Sequence, residues 1–261
     1  MTHPAHGRFV WYDLMTTDPL AAKAFYNQLV GWGTKRWEGG DMPYTMWVAG
    51  TEPIGGVMEL AQEARDAGAP SHWLAYVAVS DVEASCERAA ELGGTVLHPA
   101  TDIPGAGRFA IVQDPQSAVF AVYHSDTLSE DPPPPPAIGN ISWHELAASD
   151  LEAAFTFYRE LFGWEVKDDL DMGGGWMYRL YGPSDGMPLG GMFTKPAEMP
   201  GPPMWLYYIS VPDVAEVAPR VKELGGTLLN GPMEVPGGDT IAQCMDPQGA
   251  VFALHSRAPV A

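Results

Sequence analysis

Two stretches of the chain are near-copies set 132 residues apart: WYDLMTTDPLAAKAFYNQLVGW at 11–32 and WHELAASDLEAAFTFYRELFGW at 143–164. The same offset carries Trp73 onto Trp205, Asp81 onto Asp213, and Gly93-Gly94-Thr95 onto Gly225-Gly226-Thr227. It also carries Asp114-Pro115-Gln116 onto Asp246-Pro247-Gln248. A single offset held from residue 11 to residue 116 means duplication of a whole folding unit, because a solenoid would repeat at a few tens of residues. Each copy then serves as a control for the other. A difference between matched positions marks something the fold itself does not require.

The 261 residues divide into two domains of ordinary size. SEDPPPPP at 129–136 reads as a stiff, extended spacer where the repeat needs one. The expected boundaries are 7–126 for the first domain, 127–137 for the linker and 138–258 for the second domain. The formal charge of -19 argues against nucleic acid and anionic membrane as partners, since both attract clustered Lys and Arg. No apolar run approaches the roughly 20 residues of a membrane span. The opening MTHPAHGRF lacks a secretory apolar core, so a cytoplasmic protein is expected. Cys86 and Cys244 fall at unmatched repeat positions and suggest neither a disulfide nor a zinc site.

Each copy divides again. Phe9 to Leu14 is a short β-type run. Asp18-Pro19 then opens a helix whose apolar Ala21, Ala22, Phe25, Tyr26 and Leu29 recur at helical spacing, and Gly31 closes it. Strand-like pieces follow near 44–49 and 54–60. The second half of the copy repeats the plan: a strand over Trp73 to Val79, a helix from Asp81 to Gly93-Gly94, and strands near 95–98, 108–113 and 118–123. The unit is βαβββ, twice per domain. One helix per unit leaves no room for parallel βαβ winding, so the fold class is α+β with a curved, mostly antiparallel sheet around a cleft.

The phrase D-x-x-x-A-x-x-F-Y-x-x-L-x-G-W (Asp18 to Trp32, Asp150 to Trp164), the V-x-D-V segment before a helix ending GGT, and the late D-P-Q-x-A-V-F resemble the vicinal oxygen chelate superfamily. That superfamily includes glyoxalase I, extradiol dioxygenases, fosfomycin-resistance enzymes and bleomycin-binding proteins. The tandem layout and W-x-[D/E]-L openings look like actinobacterial secreted-antigen and hydroxylase-type tandem glyoxalase-like proteins. The resemblance implies a divalent metal held by edge-strand ligands. It places those ligands at Trp11 and Trp143, Leu74 and Leu206, and Ala121 and Ala253. None of these side chains offers an imidazole or carboxylate, so no metal and no other cofactor is expected at those positions.

Period-two alternation supplies substitutes. Asp13 and Glu145 lie two residues beyond the tryptophans, His72 two before Leu74, and His255 two beyond Ala253. Their repeat partners include Met204 and Tyr123. One cleft is expected to hold Asp13, His72 and Tyr123 around Trp11. The other is expected to hold Glu145 and His255 around Trp143, with Asp13 and Glu145 as acid/base candidates. The alternative makes Asp13, His72, Glu145 and His255 relocated metal ligands of a glyoxalase-like lyase or dioxygenase. A plainer reading has each carboxylate accept hydrogen bonds from backbone or Trp N–H groups within its own domain. Tyr44, Trp47, Trp176 and Tyr178, on the middle strands, are further candidates for the same clefts, and Gly55-Gly56 and Gly190-Gly191 are expected sites of bulge or close backbone approach. His144 alternates to the opposite face, and His3, His6, His98 and His124 read as surface residues. No phosphate loop, dinucleotide fingerprint or nucleophile elbow is present. The expected activity is binding of a small organic molecule in aromatic-lined clefts, in a monomer or dimer with intramolecular domain pairing. A protein-interaction scaffold is the third reading.

Overall fold

The computed structural model describes residues 5–39, 44–66, 68–129 and 136–258. His3 and most of the Pro132–Pro136 spacer lie outside the described residues. The chain builds four βαβββ modules. The first comprises β1 (Phe9–Thr16), α1 (Pro19–Val30), β2 (Gly33–Arg36), β3 (Thr45–Ala49) and β4 (Glu52–Glu59), followed by the short α2 (Gln62–Asp66). The second comprises β5 (His72–Ala78), α3 (Val82–Glu91), β6 (Thr95–Ile103), β7 (Gly107–Gln113) and β8 (Val119–His124). The third comprises β9 (Ile141–Ala148), α4 (Leu151–Phe162), β10 (Glu165–Asp171), β11 (Met177–Gly182) and β12 (Gly190–Thr194). The fourth comprises β13 (Met204–Ser210), α5 (Val214–Glu223), β14 (Thr227–Glu234), β15 (Thr240–Met245) and β16 (Val251–Ser256).

The strands form two eight-stranded mixed sheets, and the α+β class holds. Within the modules the strand orders are β2-β3-β4-β1, β5-β8-β7-β6, β10-β11-β12-β9 and β13-β16-β15-β14. Each module contains one parallel pair, formed where the antiparallel meander that follows the helix brings its last strand back alongside the first: β1 with β4, β5 with β8, β9 with β12 and β13 with β16. The other pairs within modules are antiparallel. No described helix is long and apolar enough to cross a membrane. Cys86 and Cys244 are free thiols, and burial pushes Cys244 up to about 12.

The helix signals act as read. The Asp18 carboxylate accepts from the Leu20 and Ala21 N–H groups, Pro19 opens α1, and Gly31 closes it with φ +76°. Asp150 and Gly163 do the same for α4. The apolar stripe of α1 buries Ala22, Phe25, Tyr26 and Leu29.

The chain condenses into two compact units that cut across the repeats. One comprises Met1–Val10, Ala75–Pro134 and Trp143–Trp205; the other comprises Trp11–Leu74, Pro135–Ser142 and Leu206–Ala261. Each unit thus combines modules from different copies. The motifs that carry the family resemblance make that connection. In one unit, the Tyr158 hydroxyl of α4 donates to Asp114 at 2.9 Å and accepts the Trp205 indole N–H at 3.1 Å. In the other, Tyr26 of α1 donates to Asp246 at 3.2 Å and accepts from Trp73 at 3.1 Å. Gln116 accepts the Ser149 and Asp150 N–H groups at the start of α4. The G-W tryptophans donate to distant backbone carbonyls, Trp32 to Gly139 and Trp164 to Gly7, each at 2.7 Å.

Candidate functional site

On β1, Asp13 sits directly opposite Gly56 of β4, and on β9 Glu145 sits opposite Gly191 of β12. A tyrosine lies over each glycine. A β-carbon on Gly56 would stand 2.0 Å from the Tyr44 hydroxyl, and one on Gly191 would stand 2.1 Å from the Tyr178 ring. The neighbouring glycines have a different task. A β-carbon on Gly55 or Gly190 would meet the Tyr12 or His144 carbonyl oxygen at 1.9 or 1.8 Å. The Gly-Gly pairs therefore permit close approach to the first strand and leave a slot for a tyrosine.

Through that slot each tyrosine reaches the carboxylate. Tyr44 donates to Asp13 Oδ1 at 2.6 Å, and the Trp11 indole N–H lies 2.6 Å from the Tyr44 oxygen and 3.1 Å from Asp13 Oδ1. In the third module, Tyr178 donates to Glu145 at 2.9 Å and accepts the Trp143 N–H at 2.9 Å. The carboxylates are almost wholly buried, 3% exposed for Asp13 and 8% for Glu145. Both tryptophans and both tyrosines are half-buried. Tyr178 also stacks on Phe193. An indole that only donates, a carboxylate that only accepts and a hydroxyl that does both fix one another's direction.

The structure brings Trp11 together with Asp13, as the plainer reading of the sequence expected. Through Tyr178 it links Trp143 with Glu145. The tyrosines are the residues that spacing left undecided; their signal is the glycine they require opposite the carboxylate. The other sequence candidates have different partners. His72 Nδ1 lies 2.8 Å from the Pro70 carbonyl. Tyr123 donates to the Ala106 carbonyl at 2.7 Å. His255 lies between Ser142 and Asp239. His144 is buried, stacked on Phe9 at 3.9 Å with Nδ1 2.7 Å from the Leu189 carbonyl, and burial lowers its pKa to about 4. His6, His98 and His124 are half-buried instead of lying free on the surface, and His98 stacks on Phe109.

A divalent metal does not fit the positions where the resemblance would put its ligands. Leu74, Leu206, Ala121 and Ala253 are buried apolar side chains, and the Trp11 and Trp143 nitrogens donate into their own hydrogen bonds. Among the described residues, no group of three or more His, Cys, Asp or Glu side chains is arranged to hold a metal ion.

Comparison with known proteins agrees with this architecture. The family model described as Glyoxalase/Bleomycin resistance protein/Dioxygenase superfamily matches residues 8–122 and again 140–254. A putative glyoxylase, CFP32, from Mycobacterium tuberculosis is 32% identical over 257 residues, covering 95% of this chain and 94% of the relative. The anthracycline biosynthesis protein DauV from Streptomyces sp. strain C5 is 29% identical over 269 residues, covering 97% and 94%. Among solved structures, the Mn(II)-bound glyoxalase from Novosphingobium aromaticivorans aligns with TM-score 0.64 at 20% identity, covering 98% of this chain and 83% of its own. The 2,3-dioxygenase LapB from Pseudomonas sp. KL28 aligns with TM-score 0.66 at 13% identity, covering 97% and 93%. At those identities the two structures show the fold alone.

Proposed function

The chain belongs to the glyoxalase/bleomycin resistance protein/dioxygenase superfamily, and on that premise we infer that it binds a small hydroxylated aromatic molecule without a divalent metal. The observation that carries this reading is the Trp–Tyr–carboxylate set, built twice over a glycine where the family resemblance implies a ligand for metal. A half-buried indole offers a flat apolar face, and the half-buried tyrosine oxygen beside it accepts a hydrogen bond from a ring hydroxyl. The relative named for anthracycline biosynthesis supports a polycyclic aromatic ligand. Asp13 and Glu145 hold the tyrosine and indole in place, and they are the acid/base candidates should the bound molecule react.

The test is titration of intrinsic tryptophan fluorescence with hydroxylated aromatics, with and without EDTA. Saturable quenching that EDTA leaves unchanged is expected. Glu145→Gln should weaken binding about tenfold, or about 1.4 kcal/mol. Gly191→Ala, which displaces Tyr178, should have an effect at least as large. Stoichiometric metal in the purified protein, lost on replacing Asp13 or Glu145, would instead establish the relocated-ligand enzyme. Silence across a broad panel would leave the scaffold reading.

A further inference from the structure

A separate cluster of reactive side chains lies in the second compact unit. Ser142 of β9 has its Oγ 2.8 Å from His255 Nδ1, and His255 Nε2 lies 2.9 Å from Asp239 Oδ2, just ahead of β15. The other Asp239 oxygen accepts the Ala258 N–H at 2.8 Å, so the carboxylate is held at both ends. Burial would raise the Asp239 pKa, but the bonds from Ala258 and His255 outweigh it and hold the group below its usual value, as an anion. A carboxylate accepts only. The imidazole proton therefore belongs on Nε2, leaving the Nδ1 lone pair facing the serine hydroxyl. The longer contact of Ser142, 3.2 Å to the Tyr208 carbonyl, is a second place its proton can point.

The first repeat shows that the fold does not require this arrangement. The positions 132 residues earlier are Val10, Tyr123 and Gly107. Tyr123 turns its hydroxyl to Ala106, and a β-carbon on Gly107 would stand 2.2 Å from the His124 carbonyl oxygen. An apolar residue, an aromatic and a glycine complete the framework there. In the second copy all three positions carry polar side chains, and these connect in the order hydroxyl, imidazole, carboxylate. The His255 side chain keeps 12% of its surface exposed and Asp239 keeps 38%, and Ser142 is half-buried.

We propose that Ser142, His255 and Asp239 form an acyl-transfer centre that hydrolyses small neutral carboxylic esters. Relative to a chymotrypsin-type arrangement the two imidazole nitrogens exchange places, while the roles stay the same. Ser142 Oγ bonds to the ester carbonyl carbon as its proton passes to His255 Nδ1. The ester C–O bond then breaks, and the leaving alkoxide takes that proton. Water attacks the resulting acyl-serine, giving its proton to Nδ1, and Ser142 recovers it as the carboxylic acid departs. Asp239 holds the imidazole and faces the positive charge that forms on it. The chain's charge of -19 disfavours anionic esters.

The experiment uses the full chain with p-nitrophenyl acetate as substrate and a fluorophosphonate as serine label. Release of p-nitrophenolate above buffer is expected, with one phosphonyl adduct on the peptide carrying Ser142. Ser142→Ala should abolish both, and His255→Gln and Asp239→Asn should slow hydrolysis at least about a hundredfold. Ser142→Val places the first repeat's residue there and controls for folding by its thermal midpoint. If the substitutions unfold the protein, the location of the adduct in the unmodified chain still decides. No hydrolysis above buffer, an adduct elsewhere, or undiminished hydrolysis by folded Ser142→Ala would overturn the proposal.

Discussion

At position 144 the second repeat carries a histidine where the first carries Tyr12, and the difference has a consequence for acid stability. His144 is enclosed against Phe9, and burial lowers its pKa to about 4, opposed by its bond to the Leu189 carbonyl. An unfolded histidine titrates near 6.5, so the unfolded chain takes up a proton that the folded chain refuses. The sign follows: this contribution to stability is complete above pH 6.5, declines as pH falls from 6.5 to 4, and is flat below that. The loss amounts to about 3 kcal/mol, at about 1.4 kcal/mol per pH unit. Urea unfolding of His144→Gln should lack that slope, whatever its stability at neutral pH. If it and the parent lose stability in parallel, the assignment is wrong.

The helices α1 and α4 were legible from their caps and apolar spacing, but what they are fastened to was not. Tyr26 and Tyr158 occupy core positions in the sequence pattern, and both are fully buried. Their hydroxyls reach carboxylates 220 and 44 residues away along the chain. Burial raises the pKa of Asp114 and Asp246, against the hydrogen bonds each accepts. These groups therefore favour the folded state more strongly in mild acid than at neutral pH, opposite to His144. Tyr158→Phe removes the hydroxyl and leaves Asp114 and the Trp205 N–H short of a partner in the core. A loss of about 1–3 kcal/mol in chemical denaturation is expected. A change within experimental error would mean that the hydrogen bond contributes little.

For the whole molecule, the repeat in sequence and the compact unit in space are different partitions of one chain. Each unit draws on both copies, so a fragment of residues 7–126 contains Tyr26 without Asp246 and Asp114 without Tyr158. We expect such a fragment alone to lack a cooperative thermal transition. Mixing it with 138–258 should restore one, read by near-ultraviolet circular dichroism. Independent cooperative unfolding of either fragment would show that the cross-repeat bonds are dispensable.

The sequence by itself determined the duplication, the βαβββ plan, the family, and the absence of metal-ligating side chains at the family's ligand positions. All of these depend on residue identity and short-range periodicity. It located Asp13 and Glu145 beside their tryptophans because alternation on one strand is local. Tyr44 and Tyr178 could be named only as middle-strand aromatics, since their reach depends on which glycine of a neighbouring strand lies beneath them. Ser142 and Asp239 carried no motif at all: they lie far apart in the chain and meet only at His255. The pairing of modules across copies was likewise a tertiary matter. Buried hydrogen bonds such as Tyr26 to Asp246 form wherever packing brings a donor to an acceptor, and no local pattern records that distance.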